Sequence, residues 1–556
     1  MNRNSKSHFS TSDNRINIGR SKFNRDSWYK TSFNAGDLIP FYVDEVLPGD
    51  TFELKTSLLA RMATPLFPVM DNAYLDTYFF FVPNRLVWDH WKAFNGENDV
   101  NAWTQLVDYE IPQILLCTSV YNSFTLSDYF GIPLNNSGVI PPAGTGDTYL
   151  SVNALPFRAY HLIWNEWFRD QNLQDPFLID KGDASVFGDT PAGLALNKLH
   201  KVNKFHDYFT SCLPAPQKGA AVQIPGLGSD LPVIATGNID YSRAEGYPLK
   251  FAFANGVPVD GNRSLGVSNG SVRSTTPAGT SETFSNDVAP VNLDAVVSGA
   301  SIDALRTAFQ IQKLLWRDAN GGTRYTEILR SHFGVVSPDA RLQRPEYLGG
   351  KRTPITMNQV LQQSAAENEP TPLGNTGAYS KTVDSFDGFT KSFTEHGYLI
   401  GVCCVRTDHT YQNGINRLWS RRDRFDFYYP ELANIGNQPV FNKEIYVDFN
   451  NSVNDEVFGY QEAWAEYRYR PSYVTGAFRS NYPGGSLDSW HYADYYDTTP
   501  ALSAEWIEEP TENLNRTLAV TSSEDNHEQI LLDMFFDLKT TRPMPMYSVP
   551  GLVDHF

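Results

Sequence analysis

From Thr51 the chain alternates, with Phe52, Leu54 and Thr56 separated by Glu53 and Lys55, the two-residue period of a strand that buries one face. Residues 74–82, YLDTYFFFV, are dense in aromatic and β-favouring side chains and stop at Pro83, which predicts a second strand that pairs with or stacks on the first. Helical spacing follows. Val87, Trp88, Trp91 and Phe94 predict a short amphipathic helix stopped by Gly96, and Phe157, Tyr160, Trp164, Trp167 and Phe168 form an aromatic stripe on another. A helix over 301–317 carries Ile302, Leu305, Phe309 and Leu315 near one face and closes at Gly321-Gly322; a shorter one over 324–333 ends at Gly334. The last third predicts strands at 398–405, 444–449, 465–470, 473–478 and 529–538.

Composition sharpens this into a mainly β protein. Aromatics reach 13% and charged residues fall to 19%, while 39 Gly and 34 Pro punctuate the chain, which favours many short strands joined by long loops. Between 222 and 300 the character changes: Trp and Cys are absent, and 17 of the 27 residues from 261 to 287 are Gly, Asn, Ser or Thr. That stretch reads as a surface-exposed insertion with a little β structure of its own. Together the pattern predicts an antiparallel sandwich, in which long loop insertions carry the short helices.

Formal charge is −18, and its distribution is uneven. Residues 1–30 hold Arg3, Lys6, Arg15, Arg20, Lys22, Arg25 and Lys30 against Asp13 and Asp26, a local +5, leaving −23 elsewhere. This polar arm is either a solvated tail or a strand-tracking arm for nucleic acid, with Phe23 and Trp28 available for base stacking. No run of about 18 apolar residues occurs, so neither membrane insertion nor a secretory leader is expected. Cys117, Cys212, Cys403 and Cys404 lack metal-ligand spacing. Cys403 and Cys404 fall in a predicted buried strand and should point to opposite faces.

Candidate chemistry is sparse. There is no phosphate-binding glycine loop, HExxH or GxSxG motif, and the eleven histidines are scattered singly. Glu508-Glu509 reads as a solvated loop, because adjacent residues on extended backbone point apart and cannot flank one glycosidic bond. No catalytic residue, metal or cofactor is expected. The densest basic and aromatic cluster sets Arg417, Arg421, Arg422 and Arg424 among Trp419, Phe425, Phe427, Tyr428 and Tyr429. It suits either single-stranded nucleic acid or, with Asp423 and Asp426 supplying local ion pairs, a subunit interface, and the interface is the stronger reading. The segment RPMPMYSVPGLVDHF (542–556) combines three prolines with apolar side chains. It should dock on this chain or a neighbour through Met546, Tyr547, Leu552 and Phe556.

That segment, with FGYQEAWAEYRYR (458–470) and RYTEILRSHFGVVSPDAR (324–341), resembles the major capsid protein of the Microviridae, small single-stranded DNA bacteriophages, and above all their gokushovirus branch. EVLPGDTF (45–52), FFFVPNRLVW (79–88), DYFTSCLPAPQKG (207–219) and SPDARLQRPEYLGG (337–350) extend the resemblance over roughly 30–222 and 301–556. It implies an eight-stranded antiparallel jelly roll over 31–221 and 301–556, preceded by the basic arm 1–30 and interrupted by the insertion 222–300 as a threefold protrusion. It further implies a T=1 shell of 60 copies around circular single-stranded DNA, found in the virion and assembled in the host cytoplasm. Implied partners are the genome, a small basic DNA-binding protein, internal scaffolding and pilot proteins, and a host-cell surface receptor. The alternative from composition alone is a β-rich carbohydrate-binding protein or glycoside hydrolase.

Overall fold

Alternate residues of Thr51–Met62 leave solvent: Phe52, Leu54, Thr56, Leu58, Ala60 and Met62 are buried while Lys55, Ser57 and Arg61 are exposed. In the computed structural model, this strand belongs to a two-sheet sandwich. The structure describes residues 19–97, 108–116, 123–133, 150–220, 222, 264–268, 271–275, 281–283, 302–364, 373–449, 453–519 and 527–548. The sandwich strands are β1 (Ser21–Asn24), β2 (Ser27–Phe33), β3 (Ile39–Val46), β4 (Thr51–Met62), β5 (Ala73–Pro83), β6 (Glu346–Pro354), β7 (Thr382–Ser392), β8 (Gly397–Thr407) and β9 (Ile530–Arg542).

One sheet has the order β1/β2, β9, β4, β7, and the other β6, β5, β8, β3, all antiparallel. β1 and β2 lie end to end along β9, so each sheet has four strand positions. Successive strands switch sheets at nearly every step, which is the winding of an eight-stranded jelly roll. β4 and β5 therefore stack rather than pair. Between the sheets Phe41 lies parallel to Phe536 at 5.8 Å and edge-on to Phe79 at 5.3 Å. Gly401 makes this possible, since a Cβ there would sit 2.7 Å from the Phe41 ring and 3.0 Å from Phe79.

β8 is buried on both faces. Leu399, Cys403 and Val405 join the sandwich core, while Tyr398, Ile400, Val402 and Cys404 join a second core. That second core is roofed by α1 (Leu155–Ile163), whose Phe157, Tyr160 and Ile163 cover Phe80 and Val82, and it continues through a π-helical turn, Trp164–Phe168. Tyr160 donates to the Leu38 carbonyl at 2.8 Å, and Arg158, sealed under the same roof, donates to the carbonyls of Val87 and Gly182.

α3 (Tyr325–Phe333) forms where expected and ends on Gly334 at φ +68. α2 (Ile302–Gly321) also forms. Residues Gln217–Arg317 make a compact unit separate from the remainder; within it Ser264–Ser268, Ser271–Thr275 and Ser281–Thr283 pair as a three-stranded antiparallel sheet.

Several expectations fail locally. Of the helix expected over 87–94 only the turn Trp91–Phe94 forms, after a 3-10 turn at Asn84–Leu86, and the buried Trp88 between them donates its indole N–H to Asp183 at 2.7 Å. None of 444–449, 465–470 and 473–478 is a strand. Asn442–Ile445 is a helical turn closed by the Glu444 side chain on the Phe441 N–H at 3.1 Å, and Ala465–Tyr467 and Gly476–Phe478 are 3-10 turns. Aromatic density there serves loops rather than sheet. Ser21–Phe33, placed partly in the arm, is the edge strand of the first sheet, because Phe33 and its neighbours pack into the core.

Candidate assembly surfaces and a buried ion cluster

The arginine cluster divides in two. Arg417 points inward, donating to the Pro439 carbonyl at 2.9 Å and lying 3.5 Å from Glu444, and Arg421 meets Glu466 at 3.2 Å while covering the rings of Tyr467 and Phe427. Glu444 is buried and also accepts from Tyr208, which settles its charge among donors although burial pushes its pKa up. Arg422 and Arg424 stay on the surface, Arg424 over the Tyr429 ring. The ion pairs expected with Asp423 and Asp426 are not the ones made. Asp426 instead accepts the backbone N–H groups of Arg422 and Asp423, which hold its pKa below the ordinary carboxylate value.

What the two inward arginines fasten is an exposed aromatic shelf. Trp419 is 76% exposed, and Phe425, Phe427, Tyr428, Tyr467 and Tyr473 also face solvent. A patch of large aromatics and arginines left open on one chain is the composition of a protein interface core.

The basic arm is described from Gly19 onward, and its strand portion is locally neutralised. Arg25 grips Asp44 with two bonds of 2.6 and 3.0 Å, Lys30 meets Asp533 at 3.2 Å and Lys22 lies 3.6 Å from Glu53. Arg20 lies beside the Gly49 turn, while Arg3, Lys6 and Arg15 fall outside the described residues. At the other terminus Arg542 ties β9 to Asp50 at 3.2 Å and to the Glu45 carbonyl. Beyond it Met546 and Tyr547 are exposed on this chain, Tyr547 at 77%; Leu552 and Phe556 lie outside the described residues.

Sequence reasoning missed a buried ion cluster. His409 is enclosed between Asp494 at 3.1 Å and Glu509 at 2.9 Å, and Lys204 reaches Asp494 at 3.6 Å. All four side chains are nearly inaccessible. Glu509 also accepts from the Thr407 N–H and hydroxyl. The paired carboxylates raise the His409 pKa to about 10 against the desolvation that opposes it, and the adjacent cations hold Asp494 below its ordinary value. Glu509 is thus a core residue and not part of a solvated loop, whereas Glu508 is half-buried and accepts from Gln174. The partners come from loops about 85 and 100 positions apart, so no local spacing announces them.

A cleft of about 850 Å³ over the second sheet is lined by Tyr78, Phe80, Trp167, Arg169, Asp207 and Tyr347. Its acids are already engaged: Asp207 accepts from Tyr411 and two backbone N–H groups, and Glu327 caps α3. Among the described residues no group of His, Cys, Asp and Glu is arranged to hold a metal, and no helix is long and apolar enough to cross a membrane.

A jelly roll wrapped in long insertions, with large exposed aromatic surfaces, is a scaffold that shell-forming structural proteins use. The chain belongs to the capsid protein (F protein) family, whose model matches residues 10–552. It is 41% identical to capsid protein VP1 of Bdellovibrio phage phiMH2K over 546 residues, 97% of each chain. It is 40% identical to capsid protein VP1 of Spiroplasma virus 4 and 39% identical to that of Chlamydia phage 1, in both cases over 96% of each chain. The Microviridae resemblance and the non-enzymatic role therefore stand.

Proposed function

We propose that 60 copies of this chain close a T=1 icosahedral shell around a circular single-stranded DNA genome. The observation that carries this reading is the exposed shelf of Trp419, Phe425, Phe427 and Tyr428, braced from within by Arg417 and Arg421, on a chain whose relatives are named capsid proteins. Weak contacts of this kind gain strength when a closed assembly makes all of them at once. The insertion 222–300 faces outward at the threefold axes and meets a host-cell surface receptor, in keeping with its polar, Gly-rich composition. A small basic DNA-binding protein, internal scaffolding proteins and pilot proteins complete the particle, which assembles in the host cytoplasm. Electron microscopy and gel filtration of the expressed chain with its assembly partners test the reading. Icosahedral particles or their pentameric precursors are expected, and a persistent monomer would overturn it.

A further inference from the structure

The segment DPFLID (175–180) presents one apolar side chain to solvent on a fixed backbone. Phe177 is fastened to Asn165 twice, its N–H donating to Oδ1 at 2.9 Å and its carbonyl accepting from Nδ2 at 2.8 Å, and its ring lies parallel to His161 at 3.9 Å. Burial alternates around that anchor: Phe177 and Ile179 are half-buried, while Asp175, Pro176, Leu178 and Asp180 are exposed. Leu178 is left 87% exposed. Single exposed leucines are common on protein surfaces. This one is set apart by its anchor, which lowers the ordering cost of a contact, and by the acids on either side of it. Asp175 makes no ion pair among the described residues, and Asp180 lends one oxygen to the Gly182 N–H at 2.8 Å.

The same chain carries a pocket of the opposite character. A cavity of about 420 Å³ beside the aromatic shelf is lined by buried Phe209 and Tyr411 and by the exposed Ile415, Leu418, Trp419 and Tyr473. The buried acids that line it, Glu444 and Glu466, are already matched by Arg417 and Arg421. Arg470 and Arg479 line it too, and both are exposed. Arg470 donates to the Tyr473 hydroxyl at 3.3 Å and Arg479 to the Gln412 carbonyl at 3.4 Å, and neither meets a carboxylate among the described residues. The unmatched charge of the pocket is therefore positive, on a chain of −18. Such a mouth repels a basic protein and favours an apolar group carried between acids.

We propose that Leu178 of one copy enters this pocket on a neighbouring copy, with Asp175 and Asp180 meeting Arg470 and Arg479 at its mouth. Leu178 does not line the pocket of its own chain, so the contact needs a second copy. A knob and a pocket on different parts of one surface make a head-to-tail contact, which closes a ring when the rotation between copies allows it. The inference rests on the reading that copies of this chain form a shell, and names one contact that joins them.

The test uses the full-length chain with its assembly partners, measuring particle or pentamer yield by sedimentation and melting of the unassembled subunit. Leu178→Asp should lower the yield about tenfold or more, because the loss recurs at every copy, and should leave subunit melting unchanged. Asp175→Arg with Asp180→Arg, and separately Arg470→Asp with Arg479→Asp, should each lower the yield; the chain carrying all four should regain most of it. As a second readout, chains with Pro176→Cys mixed with chains with Ser472→Cys should form a disulfide-linked dimer on oxidation that neither forms alone. Parent-like assembly by Leu178→Asp, no recovery in the fourfold variant, or normal particles without the mixed crosslink would each overturn the contact while leaving the shell in place. If the parent chain forms neither particles nor pentamers, the proposed function fails and this contact with it.

Discussion

His409 donates to Glu509 at 2.9 Å inside the protein, and both side chains are closed to solvent. With Asp494 on its other nitrogen, the imidazolium is bracketed by two carboxylates, and Lys204 completes a neutral set of two cations and two anions. The cluster joins the end of β8 to the loops around 494 and 509, so it fastens the sandwich to the loop layer beside it.

The pH dependence follows from the direction of the shift. The His409 pKa is raised from 6.5 to about 10, so its contribution is complete below about 6.5, declines as pH rises and is gone above about 10. Melting temperature should therefore fall along an alkaline limb between those values. His409→Leu should flatten that limb and destabilise the fold by about 3–5 kcal/mol at neutral pH, because two buried carboxylates lose their common partner. An unchanged limb in the variant would show that other groups carry it.

On the acid side the sign reverses. His161, on the buried face of α1, and His200 bond to each other at 2.7 Å, and burial lowers their pKa values to about 4 and about 2. Both stay neutral while the unfolded chain takes up protons below about 6.5, so stability should decrease steadily from there to about pH 4. Thermal unfolding across that range checks this, with His161→Gln reducing the slope by about one proton.

The arginines offer a contrast that separates folding from assembly. Arg421→Ala leaves Glu466 without its nearest cation and should lower the melting temperature of the unassembled subunit. Trp419→Ser with Arg424→Ala removes only exposed groups and should leave that temperature within a degree or two while abolishing particles, since truncating an aromatic interface anchor costs about 2 kcal/mol or more at every symmetric copy. Particle yield by sedimentation, beside melting of the subunit, distinguishes the two.

The strands that bury one or both faces were the legible part. Thr51–Met62 shows its period in sequence, and Cys403 and Cys404 fall into the two cores that alternation assigns them. β6 and β7 escape the pattern because Gly349-Gly350 and the bulge between Asp387 and Phe389 interrupt the period. Residues 444–449 and 465–470 look like strands because tyrosine and tryptophan favour sheets, interfaces and packed loops alike. The arginine cluster was visible as composition, but its division into inward and outward members depends on Glu444 and Glu466, which are distant in sequence. The His409 cluster had no local signature at all.

The last prediction concerns how the genome's charge is balanced. In the arm, Lys22, Arg25 and Lys30 already face Glu53, Asp44 and Asp533, so the cations left for phosphates are chiefly Arg3, Lys6, Arg15 and Arg20, set against Asp13. In the proposed shell, sixty such arms would supply on the order of two hundred positive charges, whereas a genome of roughly a few thousand nucleotides would carry one phosphate each. On the proposed function such a shell leaves most of the phosphate charge unbalanced, and a separate basic protein with counterions is expected to neutralise it. Replacing Arg15 and Arg20 with Ala should then reduce ordered DNA at the inner wall without preventing shell formation. Arg25→Ala should behave differently, releasing the buried side of Asp44 and lowering thermal stability even in empty shells. Full retention of ordered DNA by the double variant, seen by cryo-electron microscopy, would place the arm's charge elsewhere than on the genome.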